Sequence, residues 1–272
     1  MSKSKSLRLS DFRAIARLAG DCRDLGDDHD AWRGHLLGGL ADLVDSEFCC
    51  TGEMAGCRSL DLKDLGVVFW WRDRSLHPAP VDAETDEILR DPNNWPAQSL
   101  YHISTRNDVG ACRTRRDIID DRSWMSMADH RLSVEVANID HPMWCFRPMP
   151  GGGPDEHVGS IFYRIKGRGD FAPRDRTIVG QAFELVAPLV GGSLARFSEP
   201  SPKDLGRQTR RVLRCLLEGD GDKQIAVRMN LSRYTINQYT KLIYKHFNVK
   251  GRTELMARWI RRGWGTNFHW AE

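Results

Sequence analysis

No run in the 272 residues is long and apolar enough to cross a bilayer, and the basic stretch Met1 to Phe12 lacks the apolar centre of a signal peptide. Those absences exclude a membrane partner and make a cytoplasmic protein the expectation. Cysteine is present but unpatterned: seven is an odd number, and no CxxC or metal-finger spacing occurs. Neither a disulfide framework nor a metal-finger site is predicted by that usage, and no metal or cofactor is expected. Cys49, Cys50 and Cys57 form the one cluster. A thiol sensor or metal site is conceivable there, but the strand-like setting fits small buried apolar side chains better. The opening of a phospho-receiver, a buried strand ending in an acidic pair, is also missing, because Asp27 and Asp28 follow a polar helix end. Nucleophilic catalysis lacks a constellation: Asp140 and His141, with Cys145 nearby, read as a turn before a strand, since Pro142 restricts the residue before it. No catalytic residue is expected, and the chain is not read as an enzyme.

What is present is a division of charge. Residues 201–272 carry 15 Lys and Arg against 6 Asp and Glu, net +9, while residues 1–200 carry 25 against 31, net −6. A cationic C-terminal segment suits a phosphate backbone, where each neutralised phosphate releases counterions. The acidic remainder would not be drawn to DNA. The length exceeds one usual core, and Ser198, Glu199, Pro200, Ser201 and Pro202 read as a separator. The expected layout is residues 1–197 as one domain, 198–204 as a linker, 205–265 as a second domain and 266–272 as a tail.

The second domain has the clearest periodicity. In Gln208 to Glu218, Val212, Leu213, Leu216 and Leu217 make one buried stripe, and Gly219 stops the helix. A short helix from Lys223 to Met229 buries Ile225, Ala226 and Met229. Asn230, Leu231 and Ser232 then make a tight turn, with Ser232 suited to cap the next helix. From Arg233 to Phe247 the stripe is Ile236, Thr240, Ile243 and Phe247, which leaves Arg233, Tyr234, Asn237, Gln238, Lys241 and Lys245 on the opposite side. Arg and Lys pair with guanine or phosphate, and Asn and Gln can bond adenine edges, so this face carries the chemistry of major-groove reading. A helix, a turn and a second helix with such a face is the helix-turn-helix arrangement. On amphipathicity alone, a solvated charged face on an ordinary bundle remains an equal alternative.

The run from Leu205 to Trp259 resembles the C-terminal domain of the LuxR family of bacterial regulators, without a gap. Matching positions include Leu205, Val212, Leu213, Leu216, Glu218, Gly219, Lys223, Ile225, Ala226, Leu231, Ser232, Thr235, Ile236, Val249, Arg252, Thr253 and Glu254. The resemblance implies that Lys223, Ser232, Thr235 and Lys241 touch phosphates and that Tyr234, Asn237 and Gln238 face bases. It also implies that a fourth helix, led by Leu255, Met256, Trp259 and Ile260, supplies the contact between two DNA-binding domains. Arg211 stands where the family usually has Glu and Arg207 where it has Pro, which removes a salt-bridge partner and a helix-start signal. Asn237 and Tyr239 replace the usual basic and His residues, so base preference cannot be copied from the family.

The first domain is less patterned. Phe12, Ile15, Ala16, Leu18 and Ala19 predict one helix, and Trp32, Leu36, Leu37, Leu40, Leu43 and Val44 a second. Strand-like runs follow at Glu47 to Met54, Gly66 to Trp71, Leu100 to Ser104, Pro142 to Arg147 and His157 to Lys166. Met149 to Pro154 reads as a hairpin loop, and Ile178 through Leu189 as a closing helix. This α+β order, an antiparallel sheet with flanking helices, resembles a GAF or PAS-like sensor domain. Phe171, Arg174 and Asp175 are similar to the turn that ends GAF domains. Trp70, Trp71, Trp95, Trp124 and Trp144 could line a ligand pocket, but core is the better reading. Asp91, Trp95 and Tyr101 echo the acyl-homoserine-lactone pattern of LuxR proteins without matching its spacing.

The fold expected is thus α+β followed by an all-α four-helix domain, and the function expected is sequence-specific transcription regulation. Double-stranded DNA and a second copy of the chain are the expected partners; an unidentified small-molecule ligand and RNA polymerase are further candidates. The alternatives are a ligand-binding sensory adaptor with a vestigial basic domain and a sigma-factor-like helix-turn-helix protein.

Overall fold

The computed structural model describes residues 6–73, 95–150, 152–153 and 155–264. Asp91, part of the Met149 to Pro154 loop and the tail 266–272 lie outside the described residues. The chain divides into two compact units. The first holds Met1–Cys22 and Arg33–Gly191, the second Arg23–Trp32 and Gly192–Glu272.

The first unit opens with α1 (Leu9–Asp24), whose Ile15, Leu18 and Cys22 are buried at helical spacing, and α2 (His29–Val44), which buries Leu36, Leu37, Leu40, Ala41 and Val44. Strands β1 (Phe48–Ala55) and β2 (Lys63–Trp71) follow. Helix α3 (Pro96–Ser104) comes next. Leu100 to Ser104, expected as a strand, belongs to this helix. Pro96 starts it, and the buried Ala97, Gln98, Tyr101 and His102 fall at i, i+1, i+4 and i+5, a period that a five-residue window cannot separate from alternation. The short strand β3 (Arg113–Thr114) is followed by the short helices α4 (Arg115–Ile118), α5 (Asp121–Met125) and α6 (Ala128–His130), and by a π turn over Arg131–Val136. Strands β4 (Ile139–Pro148) and β5 (His157–Ile165) pair antiparallel, as expected of a hairpin. Within β4, Asp140-His141-Pro142 forms a bulge rather than a turn before the strand: His141 is left-handed at φ 56° and the register shifts between Asp140 and Met143.

The five strands form one antiparallel sheet in the order β2-β1-β5-β4-β3. Because side chains alternate, Phe48, Cys50, Ile161, Tyr163, Trp144 and Phe146 share one face, and Cys49, Thr51, Phe162, Met143 and Cys145 the other. Residues 96–136 cover the first face, where Ala97, Tyr101, Ile119 and Trp124 pack on Trp144 and Phe146. The Tyr101 hydroxyl accepts from the Phe146 amide (2.9 Å) and donates to the Ala111 carbonyl (3.0 Å), tying α3 to the sheet. On the second face the Cys49 thiol points to the Leu37 carbonyl of α2, and Arg33 makes a fully buried ion pair with Glu53. Gly159 is required in β5, because a Cβ there would stand 2.4 Å from the Phe146 ring.

The closing helix α7 (Pro173–Val186) buries Ile178, Val179, Ala182, Phe183 and Val186, then tightens to a 3-10 turn at Pro188. The Phe-Xaa-Xaa-Arg-Asp turn before it has a physical explanation. Asp175 caps α7 by accepting the Ala172 amide (2.8 Å) and pairs with Arg164 (3.0 Å), whose guanidinium lies 4.5 Å over the Phe171 ring. Arg174 makes two bonds to Asp11 of α1 (3.0 and 2.6 Å), holding that carboxyl below its usual range.

The second unit contains α8 (Arg207–Leu217), α9 (Asp222–Met229), α10 (Arg233–His246) and α11 (Arg252–Arg262) around one core of Val212, Leu213, Leu216, Ile225, Ile236, Ile243, Phe247, Leu255 and Trp259. Residues 198–204, read from sequence as a linker, hold a 3-10 turn at Pro202–Asp204. Ser201 and Pro202 are buried, and the Ser201 carbonyl is bonded to the His246 ring (2.9 Å). Residues 23–32 add to this unit. Trp32 donates its indole N–H to the Ala195 carbonyl (3.0 Å), the Ala195 amide donates to Gly26 (2.7 Å), and Lys203 pairs with Asp28 (2.9 Å).

Candidate nucleic-acid interface

Two turns set the angle at which α10 leaves α9. Asn230 closes α9 in the left-handed conformation (φ 53°, ψ 47°), which Asn tolerates better than most residues. The Ser232 hydroxyl then accepts the Thr235 amide (3.1 Å) and meets the Thr235 hydroxyl (2.9 Å), so the start of α10 is capped as expected. These bonds fix where the first turn of α10 points.

Helix α10 is sharply two-sided. Ile236, Ile243 and Phe247 are fully buried, each contributing roughly 2 kcal/mol of burial, and Thr240 completes the stripe. Arg233, Tyr234, Asn237, Gln238, Lys241 and Lys245 are all exposed, Tyr234 by 75%. The helix contains no acidic residue. Lys223 is exposed on α9, and Thr235 is half-buried beside its cap. Among the described residues, Lys223, Arg233, Lys241 and Lys245 enter no ion pair, so their charges remain available to an anionic partner. Arg228 differs: it is neutralised by Glu218 and by Asp220 (2.9 Å).

Both residues that depart from the family pattern, Arg207 and Arg211, lie exposed on α8, whose Val212, Leu213 and Leu216 are in the core. Arg211 lies in solvent against Gln208 (3.3 Å), and α8 begins after Gly206 without a side-chain cap. Its C-terminus is held by Arg252, which donates to the carbonyls of Leu216 (2.9 Å) and Asp220 (2.7 Å). This cationic cap was not anticipated; the only sequence signal was an Arg among the matching positions.

The four residues expected at a dimer contact do not share one surface. Leu255 and Trp259 point inward and are buried in the core, Met256 is half-buried, and only Ile260 is open, at 72%. Leu255 and Trp259 belong to the buried cluster of this unit, Trp259 edge-on to Phe247, so their apolar surface is already used. The apolar surface of these four that remains open is that of Ile260 and, in part, Met256.

Residues 203–258 match the family model of bacterial regulatory proteins, luxR family. They form a luxR-type helix-turn-helix domain. Over 80 residues the chain is 30% identical to a probable HTH-type transcriptional regulator, GfsR, of Streptomyces halstedii; the match covers 29% of this chain and 33% of that protein. The chain thus spans about a third of the length of that curated relative. Among solved structures, SdiA of Escherichia coli is 13% identical with a TM-score of 0.39, covering 91% of this chain and 97% of SdiA. The LBD domain of VqsR from Pseudomonas aeruginosa is 12% identical with a TM-score of 0.38, covering 66% and 92%. At that level of superposition neither structure defines the fold of the first unit.

The first unit has polar groups of a different kind from those of the luxR-type domain. Under residues 96–136, Asp129 accepts the Ala97 amide through one oxygen (3.2 Å), while its other oxygen, the Trp124 indole N–H and His102 Nε2 are buried without a hydrogen bond. Burial pushes the Asp129 carboxyl up to about 6, and burial with the neighbouring His157 pushes His102 down to about 4. Trp124 and Trp144 are core as expected, whereas Trp70, Trp71 and Trp95 are half-buried. Asp129 and His102 were not anticipated, because nothing local distinguishes them from surface residues. The cysteine cluster is apolar in character: Cys49 and Cys57 are buried, and burial raises Cys50 and Cys57 to about 12. Asp28, His29 and Asp30 lie close enough to share a cation, but the Asp28 carboxylate is engaged by the amides of Asp30 and Ala31 (3.0 Å each) and by Lys203.

No helix among the described residues is long and apolar enough to cross a membrane.

Proposed function

We propose that this protein is a cytoplasmic, sequence-specific transcription regulator that binds duplex DNA as a homodimer through α9 and α10. The observation that carries it is the two-sidedness of α10, with its apolar stripe spent in the core and six polar or basic side chains outside. In this reading Lys223, Ser232, Thr235 and Lys241 hold phosphates, and Tyr234, Asn237 and Gln238 meet base edges, with Arg233 and Lys245 flanking. Ile260 and Met256 give α11 its contact with a second copy. Selection of sites from a promoter library at two salt concentrations tests it. The expected result is pseudo-palindromic sites and a steep salt slope; unselective or absent binding favours an adaptor whose basic domain is vestigial.

The first unit, on the same proposal, is a GAF or PAS-like sensor. Its ligand lies between residues 96–136 and the aromatic face of the sheet, where it supplies an acceptor to the Trp124 N–H and a donor to Asp129. The support for this is the set of buried polar atoms without partners, since such groups cost free energy until they are bonded. Binding there would shift the population of arrangements of two basic domains, of which one fits both half-sites. Native mass spectrometry of protein purified from its own cells, reading subunit number and any retained small molecule, tests both the dimer and the ligand.

A further inference from the structure

The second face of the sheet carries a feature unrelated to the sensing proposal. Strand β3 pairs with β4 through Arg113 opposite Trp144 and Thr114 opposite Met143. One step further along that register, just outside the ladder, Cys112 comes opposite Cys145, and the two thiols lie near enough to influence each other's ionisation. Directly opposed residues of antiparallel strands have Cα atoms about 4.5 to 5.5 Å apart, within the range a disulfide spans. The pair lies under α7: a Cβ on Gly180 would be 3.7 Å from the Cys112 sulfur. Cys145 is fully buried, and its thiol also points to the Gly110 carbonyl (3.8 Å). Cys112 is the less enclosed of the two, half-buried where Cys145 is fully buried. Other thiols are turned to backbone carbonyls, Cys49 to Leu37 and Cys57 to Met54.

We propose that Cys112 and Cys145 are a dithiol site that reacts with a low-molecular-weight disulfide and closes into an intramolecular disulfide beneath α7. The Cys112 thiolate attacks one sulfur of the small disulfide, forming a mixed disulfide and expelling the first small thiolate, which takes up a proton. Cys145 then attacks the Cys112 sulfur, the bond to the small molecule breaks, and a second small thiol leaves. The two cysteines lose two electrons and two protons, and the small disulfide gains them. Burial and the neighbouring Cys145 hold the Cys112 thiol well above its ordinary value, and Arg147 and Arg176 offset part of that. The closed bond would join the start of β3 to β4 and close a loop over residues 113–144, which holds the later part of the cover over the opposite, aromatic face, removing freedom from it.

The test uses the full reduced chain incubated with oxidised glutathione, alkylated, digested without reductant and read by peptide mass spectrometry. The expected product is a peptide pair joined through Cys112 and Cys145, two hydrogens lighter than the reduced peptides and released by dithiothreitol. In Cys145→Ser, Cys112 should accumulate as its glutathione mixed disulfide, because the resolving thiol is gone. The proposal is overturned if both cysteines of the unaltered chain remain alkylatable, if Cys112 stops at the mixed disulfide, or if either cysteine joins a different partner. These readings on the unaltered chain decide the matter even if the variant does not fold.

Discussion

In the second unit the polar groups of α10 lie outside an apolar stripe, whereas in the first unit Trp124, Asp129 and His102 lie inside, beneath the cover of an aromatic sheet face. The difference shows in their electrostatics. Lys223, Lys241 and Lys245 stand in solvent without an ion pair among the described residues, while Asp129 and His102 are both driven by burial toward their neutral forms. An outward site costs the fold little and can be changed residue by residue. An inward site draws on the stability of its unit, so changes there alter folding and recognition together.

The sharpest way to break this contrast is to attack the stripe rather than the face of α10. Phe247→Ala removes a fully buried ring that stacks edge-on against Trp259, and should lower stability by about 4 kcal/mol, with loss of DNA binding, measured by denaturant melts and gel shift. Stability unchanged by this variant would mean that α10 does not pack as described.

A pH titration probes the inward groups. The folded chain holds the Asp129 proton up to about pH 6, above the ordinary carboxylate value of 3.8, so it carries more protons than the unfolded chain between those values. Its contribution therefore weakens as pH rises through that window, by about 3 kcal/mol, and stays lost above it. Asp129→Asn should remove that slope from the difference curve while leaving the bond to the Ala97 amide in place.

On the outer face the effects should be smaller and separable. Asn237→Ala should blur base preference by about 1 to 3 kcal/mol of discrimination, measured by site selection, with little change in melting. Lys223→Ala should weaken binding to all sequences alike and reduce the salt slope by about 1. Ser232→Ala, which removes the cap from the Thr235 amide, should cost about 1 kcal/mol of stability. Should Lys223→Ala alter base preference as much as Asn237→Ala does, the division between phosphate and base contacts fails.

Legibility followed the same line as the contrast. The stripe at Ile236, Thr240, Ile243 and Phe247 and the cap at Ser232 were readable because a helix repeats its buried face every three or four residues and its turns need particular side chains. Leu255 and Trp259 were misplaced because a helix buried along one stripe reads alike whether that stripe meets its own core or a second molecule. Leu100 to Ser104 was misassigned because five residues hold little more than one helical turn. In the first unit, Asp129 and Trp124 gave no local sign of being buried without partners, since that depends on which segment lies over which strand.

By itself, then, the sequence determined the opposite charges of the two halves, the four C-terminal helices and the polar side of α10, all of which follow from composition and short-range periodicity. Only the tertiary structure decided that residues 23–32 and 192–204 join the second unit, that Cys112 meets Cys145, and that polar groups are closed in beneath residues 96–136. Those facts arise from pairings between residues far apart in the chain. Local propensity fixes what each element is, but burial of one element against another fixes which of its atoms remain free to act.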